Sequence, residues 1–382
     1  MPTTDAERPS LAARLLTSRP WRRSKDEMGP KTAAQTDAAM PGQRRALIVG
    51  PYRAHNFGDD LVGAILAKHL QRKGYDVTVP RLSEANSAWL GTRYAPDYDG
   101  KFDLADVVVV GGGGIMSDTS GAKPGASYLE IVARAGMAGQ LSNKPVYITS
   151  VGAGPWTRER SRTLAFGVSL IAERIGVREQ ESYDHLRELG VTKKKLVLGA
   201  DLALLTPDLL KFRTRKSGKL GLQFDPNAFA DVHDNPHFTN IVDAIGEYAR
   251  VNSSNVVLIR NGKARSEISA AAPSAPRLSY GTLEDFLPRL AGLRAIFTSH
   301  LHLAITSYGQ RIPSFSLYVR EKTRRFYEQI GHPERAIDLR VATLDDFKRF
   351  IAAAEAATWT DEDEATLRRL KGQSRKLISF IE

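Results

Sequence analysis

Cysteine is absent from this sequence of 382 residues. Disulfides, thiolate nucleophiles and cysteine-ligated metal sites are therefore excluded. Long apolar runs are absent too: none reaches the roughly 18 residues that a membrane-spanning helix needs, so we predict no span. Residues 1–43 also lack an apolar segment followed by a small-residue cleavage site, so we expect no secretory signal. These absences favour a cytoplasmic protein.

Acidic residues are fewer than basic ones, 43 Asp and Glu against 54 Lys and Arg, which gives a net charge of +11. A basic surface favours anionic partners such as phosphates, nucleic acid or anionic lipid. The sequence has no helix-turn-helix pattern, zinc-finger spacing or aromatic RNA-binding signature, so we expect no nucleic-acid partner. A generally basic soluble enzyme is the alternative explanation of the charge.

The first 43 residues are rich in Ala, Ser, Thr, Pro and charge, which predicts a disordered basic tail. Within it, Leu11, Leu15, Leu16 and Trp21 are interleaved with arginines. The alternative interpretation is a short helix that lies on an anionic membrane. In that case the tail would make a peripheral contact at the inner face of the membrane.

The rest of the chain alternates short apolar runs, typical of buried strands, with helical patterns. Residues 45–50 and 107–110 are examples of the runs. Strands that alternate with helices indicate parallel sheets covered on both faces. The pattern restarts after residues 206–219, so the fold class is α/β with two Rossmann-like domains and a cleft between them. The predicted domains are 44–210 and 211–360, followed by a helix over 361–382 that crosses back to the first domain.

The turn Asn56-Phe57-Gly58-Asp59 directly follows the first predicted strand. Gly58 permits a tight turn and a close approach to a ligand. The amides at the start of the next helix, predicted from about Asp60 to Lys73, attract anions. The alternative is that Asp59 or Asp60 simply caps this helix.

Two glycine-rich segments follow later predicted strands. The first contains Gly112, Gly113 and Gly114 and leads to Asp118, and the second spans Gly152 to Pro155. Consecutive glycines let the backbone approach something bulky. Their spacing differs from the GxGxxG fingerprint, so a nicotinamide cofactor is not expected. Close packing of strand against helix is the alternative explanation.

Three side chains at predicted strand ends have the chemistry of a binding or catalytic site. Arg178 offers a two-pronged contact to carboxylate or phosphate, and a salt bridge with Glu179 or Glu181 is an equal alternative. His300 and His302 follow a strand of the second domain, where a histidine is suited to donate a proton. At positions i and i+2 of a helix start the two rings point to different sides, so we predict no shared metal ion.

These segments occur in the same order as in the polysaccharide pyruvyltransferase family, and the chain resembles that family over most of its length. The family's fold is similar to that of the GT-B glycosyltransferases, which have two Rossmann-like domains. The family usually has arginine where this chain has His300. The matching segments are Asn56 to Asp59, Gly111 to Asp118, Gly152 to Pro155, Val177 to Glu179, Leu186 to Val191, Asp201, Ser299 to His302, and Pro313 to Tyr318 with Lys322.

The resemblance implies transfer of a pyruvyl group from phosphoenolpyruvate to a sugar, forming a ketal. The acceptor is expected to be a cell-surface polysaccharide or its lipid-linked precursor. His302 is implied for proton transfer, and Arg178 with His300 for donor binding, with no cofactor and no metal. The residues implied to line the cleft, on the acceptor side, are Asn56, Gly58, Asp59, Gly112, Gly113, Gly114, Asp118, Gly152 and Gly154.

Two other functions remain open. One is a glycosyltransferase of the same architecture that uses a nucleotide-sugar. The other is a non-catalytic sugar-binding relative, an alternative that His300 favours. Histidine is shorter than arginine and, with an ordinary pKa of about 6.5, carries only part of a charge near neutral pH.

Overall fold

A computed structural model of the chain describes residues 42–52, 56–118, 128–226, 229, 232, 234–261 and 267–382. The predicted disordered tail, residues 1–43, lies outside the described residues apart from Gly42 and Gln43. The described chain divides into two compact units. The first unit comprises residues 42–52, Leu66–Gly199 and Lys376–Glu382, and the second comprises residues 56–65 and Ala200–Arg375.

The first unit is built on a parallel sheet that, in the described residues, has six strands in the order β2-β1-β3-β4-β5-β6. Val107 to Val110, at the start of β3, are completely buried, as expected for a central strand covered on both faces. Val108 and Val110 join a core with residues such as Ile148 and Val177. The strands are β1 (Arg45–Val49), β2 (Asp76–Thr78), β3 (Val107–Met116), β4 (Val146–Ala153), β5 (Arg174–Val177) and β6 (Leu196–Leu198).

The second unit repeats this design with a parallel sheet of six strands, again counted over the described residues, in the order β12-β11-β10-β7-β8-β9. Its core contains Phe297 at the centre of the sheet, packed edge-on against Phe347 and Phe350. The strands are β7 (Leu220–Gln223), β8 (Val256–Arg260), β9 (Arg277–Ser279), β10 (Ala295–Thr298), β11 (Ser314–Tyr318) and β12 (Ala336–Asp338).

Helices separate most of the strands. Two of them, α1 and α14, contribute residues to both units, because the unit boundaries fall at Leu66 and at Lys376. The helices are α1 (Phe57–Arg72), α2 (Glu84–Leu90), α3 (Lys101–Leu104), α4 (Tyr128–Leu141), α5 (Glu159–Ile171), α6 (Gln180–Glu188), α7 (Thr206–Leu209), α8 (Phe238–Val251), α9 (Glu267–Ala271), α10 (Leu283–Leu290), α11 (Leu301–Gly309), α12 (Glu321–Gln329), α13 (Leu344–Ala356) and α14 (Asp361–Ser379).

The predicted fold class, α/β with two parallel sheets, is confirmed. Two local predictions were wrong. Helix α1 begins at Phe57 and not at Asp60, because Asn56 supplies the cap. Strand β3 does not end before the glycine run but continues through it to Met116. Among the described helices, each is too short or too polar to span a bilayer.

Three of the four glycines of β3 are required by the backbone or by packing. Gly112 and Gly113 have positive φ angles of 89° and 80°, a conformation that other residues rarely adopt. A Cβ atom on Gly111 would lie 2.3 Å from Cδ1 of Leu66. Close packing against α1 therefore accounts for Gly111, as the alternative explanation held.

Candidate functional site

Four neighbouring strands of the second unit end at the same edge of its sheet. Strands β11, β10, β7 and β8 are adjacent and parallel, and their carboxyl ends carry polar residues. Ligands of open α/β sheets bind at this edge. The residues there are Gln223 at the end of β7, Asn261 after β8, Ser299 and His300 after β10, and Arg320 after β11.

His302, the predicted proton-transfer residue, lies in the first turn of α11 against the start of α1. A Cβ atom on Gly58 would lie 2.1 Å from its Nδ1 and 2.4 Å from its Cγ. The ring therefore occupies the space that the missing side chain of Gly58 leaves. Its Nε2 lies 3.8 Å from Oδ2 of Asp201. A proton gained by His302 would place a positive charge opposite this buried carboxylate.

His300 is the residue directly before α11, and its ring is held from the side of β8. Nδ2 of Asn261 lies 3.4 Å from Nδ1 of His300. The backbone N–H of Phe57 donates to Oδ1 of the same Asn261 at 3.0 Å. Asn261 thus joins the first residue of α1 to the ring of His300.

The surroundings of His300 keep its ring uncharged. Burial, followed by the positive charges of Lys322 and Arg320, lowers the pKa of His300 to about 4. At neutral pH the ring is therefore neutral, while the two neighbouring side chains remain cationic. The positive charge on this side of the site comes from the segment after β11, not from the histidine.

Gln223 adds a hydrogen-bond donor at the same edge. Its Oε1 accepts hydrogen bonds from Thr298 Oγ1 at 2.7 Å, from Ser299 N at 3.0 Å and from Ser299 Oγ at 3.2 Å. These donors fix the orientation of the amide, so Nε2 points away from them. Only 3% of Gln223 is exposed, and within the described part of the chain its Nε2 makes no hydrogen bond to protein.

The turn before α1 organises the helix start. Asn56 Oδ1 accepts from Gly58 N at 3.2 Å, and Asn56 Nδ2 donates to Asp59 Oδ2 at 2.6 Å. Asn56 is therefore the capping residue, and the alternative in which Asp59 or Asp60 caps the helix is corrected. Both aspartates lie inside the first turn of α1, where the helix dipole favours negative charge.

Asp60 is a buried carboxyl with an unusual proton affinity. Tyr280 donates a hydrogen bond to its Oδ2 at 2.6 Å. Burial raises the pKa of Asp60 to about 7, against the effect of the Tyr280 hydrogen bond and with help from the negative charge of Asp59. Asp60 therefore titrates near neutral pH in the folded protein.

The remaining predicted residues belong to the first unit. Arg178 is 3% exposed, and its Nε lies 3.3 Å from Oε2 of Glu179. This is one of the two ion pairs that the sequence left open as alternatives to donor binding. A Cβ atom on Gly152 would lie 3.4 Å from Arg178 Nη2 and 3.4 Å from Cα of Gly114. The atom nearest to this Cβ position is Oε1 of Glu179, at 3.2 Å, so Gly152 is packed against the pair of Arg178 and Glu179.

Asp118 and Gly154 hold local structure in the first unit. Asp118 Oδ2 accepts from the backbone N–H groups of Thr157 at 2.6 Å and Arg158 at 3.0 Å, just before α5. Burial raises the pKa of the Asp118 carboxyl, but hydrogen bonds from Ser161, Arg158 and Thr157 outweigh burial and keep it below its usual value. Gly154 has a φ of 68° and packs against the ring of His185.

The structure thus brings His302, His300, Gly58, Asn56 and Asp59 together within one unit. Several further residues of this site, Ser299, Arg320 and Lys322 among them, were not among the predicted site residues. Asp201 had only been noted as part of a motif, and Asn261 and Gln223 lie at strand ends, a position that could have marked them. In the described residues, no group of three or more His, Asp or Glu side chains is arranged to hold a metal ion.

Comparisons with known proteins agree with the fold and give the family. UDP-GlcNAc 2-epimerase from Neisseria meningitidis, in a structure with UDP-GlcNAc, is 13% identical with a TM-score of 0.55, over 88% of this chain and 98% of that chain. MnaA from S. aureus, in a structure with UDP, is 12% identical with a TM-score of 0.55, over 88% of this chain and 92% of that one. UDP-GlcNAc 2-epimerase from Methanocaldococcus jannaschii is 12% identical with a TM-score of 0.56, over 87% and 100%.

At this identity the likeness shows the two-sheet fold alone. A comparison with curated protein sequences found no match. The sequence profile of the polysaccharide pyruvyl transferases, however, matches residues 56–321, more than half of the chain, and spans every segment of the site from Asn56 to Arg320. The chain therefore belongs to the polysaccharide pyruvyl transferase family, whose activity is the transfer of a pyruvyl group to a polysaccharide.

Proposed function

We propose that the donor is phosphoenolpyruvate and that the product is a cyclic pyruvate ketal on a sugar of a cell-surface polysaccharide or its lipid-linked precursor. The observation that carries the proposal is the placement of His302. Its ring is seated on Gly58 and faces the carboxylate of Asp201, at the sheet edge where ligands of α/β folds bind. A proton donor held in one position is the group that this reaction needs.

The donor carries a carboxylate and a phosphate, so its site must neutralise two anionic groups. Arg320 and Lys322 lie near enough to His300 to affect its pKa, and they supply positive charge on this side of the site. Gln223 Nε2 and the ring of His300 supply neutral hydrogen bonds. The start of α11 adds the positive end of a helix dipole.

The chemistry then requires protonation of the methylene carbon of the donor and two attacks on the carbon beside it, each with loss of a hydroxyl proton. His302 protonates the methylene carbon of phosphoenolpyruvate, and the adjacent carbon becomes electrophilic. A sugar hydroxyl forms a bond to that carbon and loses its proton. A second hydroxyl of the same sugar attacks that carbon and loses its proton as the carbon–oxygen bond to phosphate breaks, and phosphate leaves with the electron pair. Positioning of the two reactants supplies much of the rate enhancement.

We further propose donor binding by Arg178 and an acceptor-side role for the glycine segments of β3 and β4. The first role is supported by the place of Arg178 directly after β5, in the segment Val177 to Glu179 that resembles the family motif. The proposed chemistry uses side chains alone as proton donor and cations, so activity should survive a strong chelator. A peripheral position at the inner face of the membrane would suit a lipid-linked acceptor.

The experiment is incubation of the purified protein with phosphoenolpyruvate and a saccharide acceptor, with and without chelator. Release of phosphate and appearance of a ketal methyl signal in the NMR spectrum of the saccharide are expected. His302→Ala should abolish both while the fold is kept. UDP-sugars are tested in parallel, because two proteins of similar fold carry UDP or UDP-GlcNAc in their structures. Nucleotide release without phosphate release would replace the proposal by a glycosyltransferase.

A further inference from the structure

The hydrogen bonds of Asn261 determine which nitrogen of His300 carries the proton. A backbone N–H can only donate, so the atom of Asn261 that meets Phe57 N at 3.0 Å must be the amide oxygen. The amide cannot then be turned over. Its NH₂ group is left facing Nδ1 of His300, at 3.4 Å.

An amide NH₂ group can only donate as well. Nδ1 of His300 is therefore the acceptor, and the single proton of the neutral ring lies on Nε2. A neutral imidazole with this arrangement has one donor, Nε2–H, and that donor is turned away from Asn261. The hydrogen bonds of Asn261 thus determine the direction in which the ring of His300 can donate a hydrogen bond.

The groups around His300 favour its neutral form. Lys322 and Arg320, from the segment after β11, are both cationic, and Asn261, from the side of β8, is uncharged. The neighbour on the side of α1 is the backbone of Phe57, through Asn261. The next titratable side chain along the chain, on α11, is that of His302. Together with burial, the two cations oppose a further positive charge on the ring.

We propose that Asn261 is a positioning residue that fixes His300 as an uncharged Nε2–H hydrogen-bond donor to an anionic oxygen of the donor substrate. The identity of that substrate rests on the function proposed above. In this arrangement Arg320 and Lys322 attract the anion through their charge, whereas His300 orients it through a hydrogen bond. Because His300 is uncharged, it does not add a third positive charge that Arg320 and Lys322 would repel. The attraction of these two cations then acts on the substrate.

The test is NMR of protein labelled with ¹⁵N-histidine, in which the ring nitrogens of the 8 histidines report tautomer and charge. His300 is assigned by its loss in His300→Gln. The expected result is a neutral ring with the proton on Nε2 at pH 7, which becomes protonated only below about pH 5. A proton on Nδ1, or an imidazolium at pH 7, would overturn the proposal.

Asn261→Asp is the variant that separates positioning from simple structure. A carboxylate can accept from both Phe57 N and Nδ1–H, so the proton should move to Nδ1 or the ring should become charged. Asn252→Asp, the same change at a helix end of the same unit, is the control and should leave His300 unchanged. An Asn261→Asp spectrum with the proton still on Nε2 would overturn the role of Asn261.

Inorganic phosphate and phosphoenolpyruvate are then titrated separately. Both should shift the Nε2 resonance of His300, and Asn261→Asp should weaken phosphoenolpyruvate binding roughly tenfold, the loss of about one hydrogen bond. If phosphate shifts the resonance and phosphoenolpyruvate does not, the inference stands and the proposed donor is wrong. If neither anion shifts it, His300 is not an anion donor and the inference fails.

Discussion

The contact between Gly58 and His302 permits a sharp test of the site. In Gly58→Ala the new methyl carbon would lie 2.1 Å from Nδ1 of His302 and 2.6 Å from its Cβ. Ordinary contacts between such atoms are about 3.5–4.0 Å. The methyl group is fixed to the helix backbone, so the ring must move by more than an ångström. Its alignment with Asp201 would then be lost.

Two opposing contributions determine the stability of Gly58→Ala, and the position of the His302 ring determines its catalytic rate. Alanine is favoured over glycine in a helix by about 1 kcal/mol, whereas overpacking costs about 1–3 kcal/mol. The free energy of unfolding should therefore fall only slightly. A misplacement of about 1 Å costs roughly 100-fold in rate, equivalent to about 2.7 kcal/mol in the activation barrier.

The assay is kcat for phosphate release from phosphoenolpyruvate, measured beside urea unfolding. Gly372→Ala is the matched control, because Gly372 lies in α14 and a Cβ there would meet nothing within 4 Å. That variant should be slightly more stable and fully active. In a His302→Ala background the stability cost of Gly58→Ala should disappear, since the clashing ring is gone. A folded Gly58→Ala protein with kcat within threefold of the parent would refute the reasoning.

Two other substitutions test the charged residues. Arg178→Lys keeps a positive charge opposite Glu179 but replaces a two-pronged contact by a point charge. The KM for phosphoenolpyruvate should therefore rise roughly tenfold, with little change in stability. An unchanged KM would show that the pair of Arg178 and Glu179 is structural. The pKa of Asp60 is raised from 3.8 to about 7 in the folded state, so its contribution to stability is full below pH 4 and is lost as the pH rises towards 7. Asp60→Asn keeps an acceptor for Tyr280. The free energy of unfolding, measured with urea between pH 4.5 and 7.5, should depend less on pH in this variant than in the parent. An equal pH dependence in the two proteins would contradict the raised pKa of Asp60.

The fold could be predicted from the sequence where buried strands give continuous runs of apolar residues. Central strands such as β3 and β8 begin with a continuous run of four β-branched or aliphatic residues, because both of their faces are covered. The strands that the sequence did not reveal are β6, β9 and β12, which have three residues each and lie at sheet edges. An edge strand is defined by pairing with a neighbour, and three residues with mixed burial leave no apolar run to detect.

Only part of the candidate site could be predicted from the sequence. His302 and Gly58 were both identified from strand-end position and family motif, but their direct packing joins distant segments of the chain and follows from the fold alone. The predicted cleft residues Asn56 and Asp59 are three positions apart, and their side chains bond to each other at the helix start. Asp118, predicted from its place after the glycines, has its carboxylate engaged by the backbone before α5.

The start of α1 also bears on how the protein is assembled during synthesis. Phe57 and Asp60 bond to residues that lie 204 and 220 positions later in the chain. At about 5–20 residues per second, the ribosome makes Asn261 roughly 10–40 s after Phe57. During that interval the first turn of α1 has neither its amide acceptor nor the tyrosine that shields its carboxyl. A nascent chain stopped before Asn261 should therefore leave this turn open to proteases.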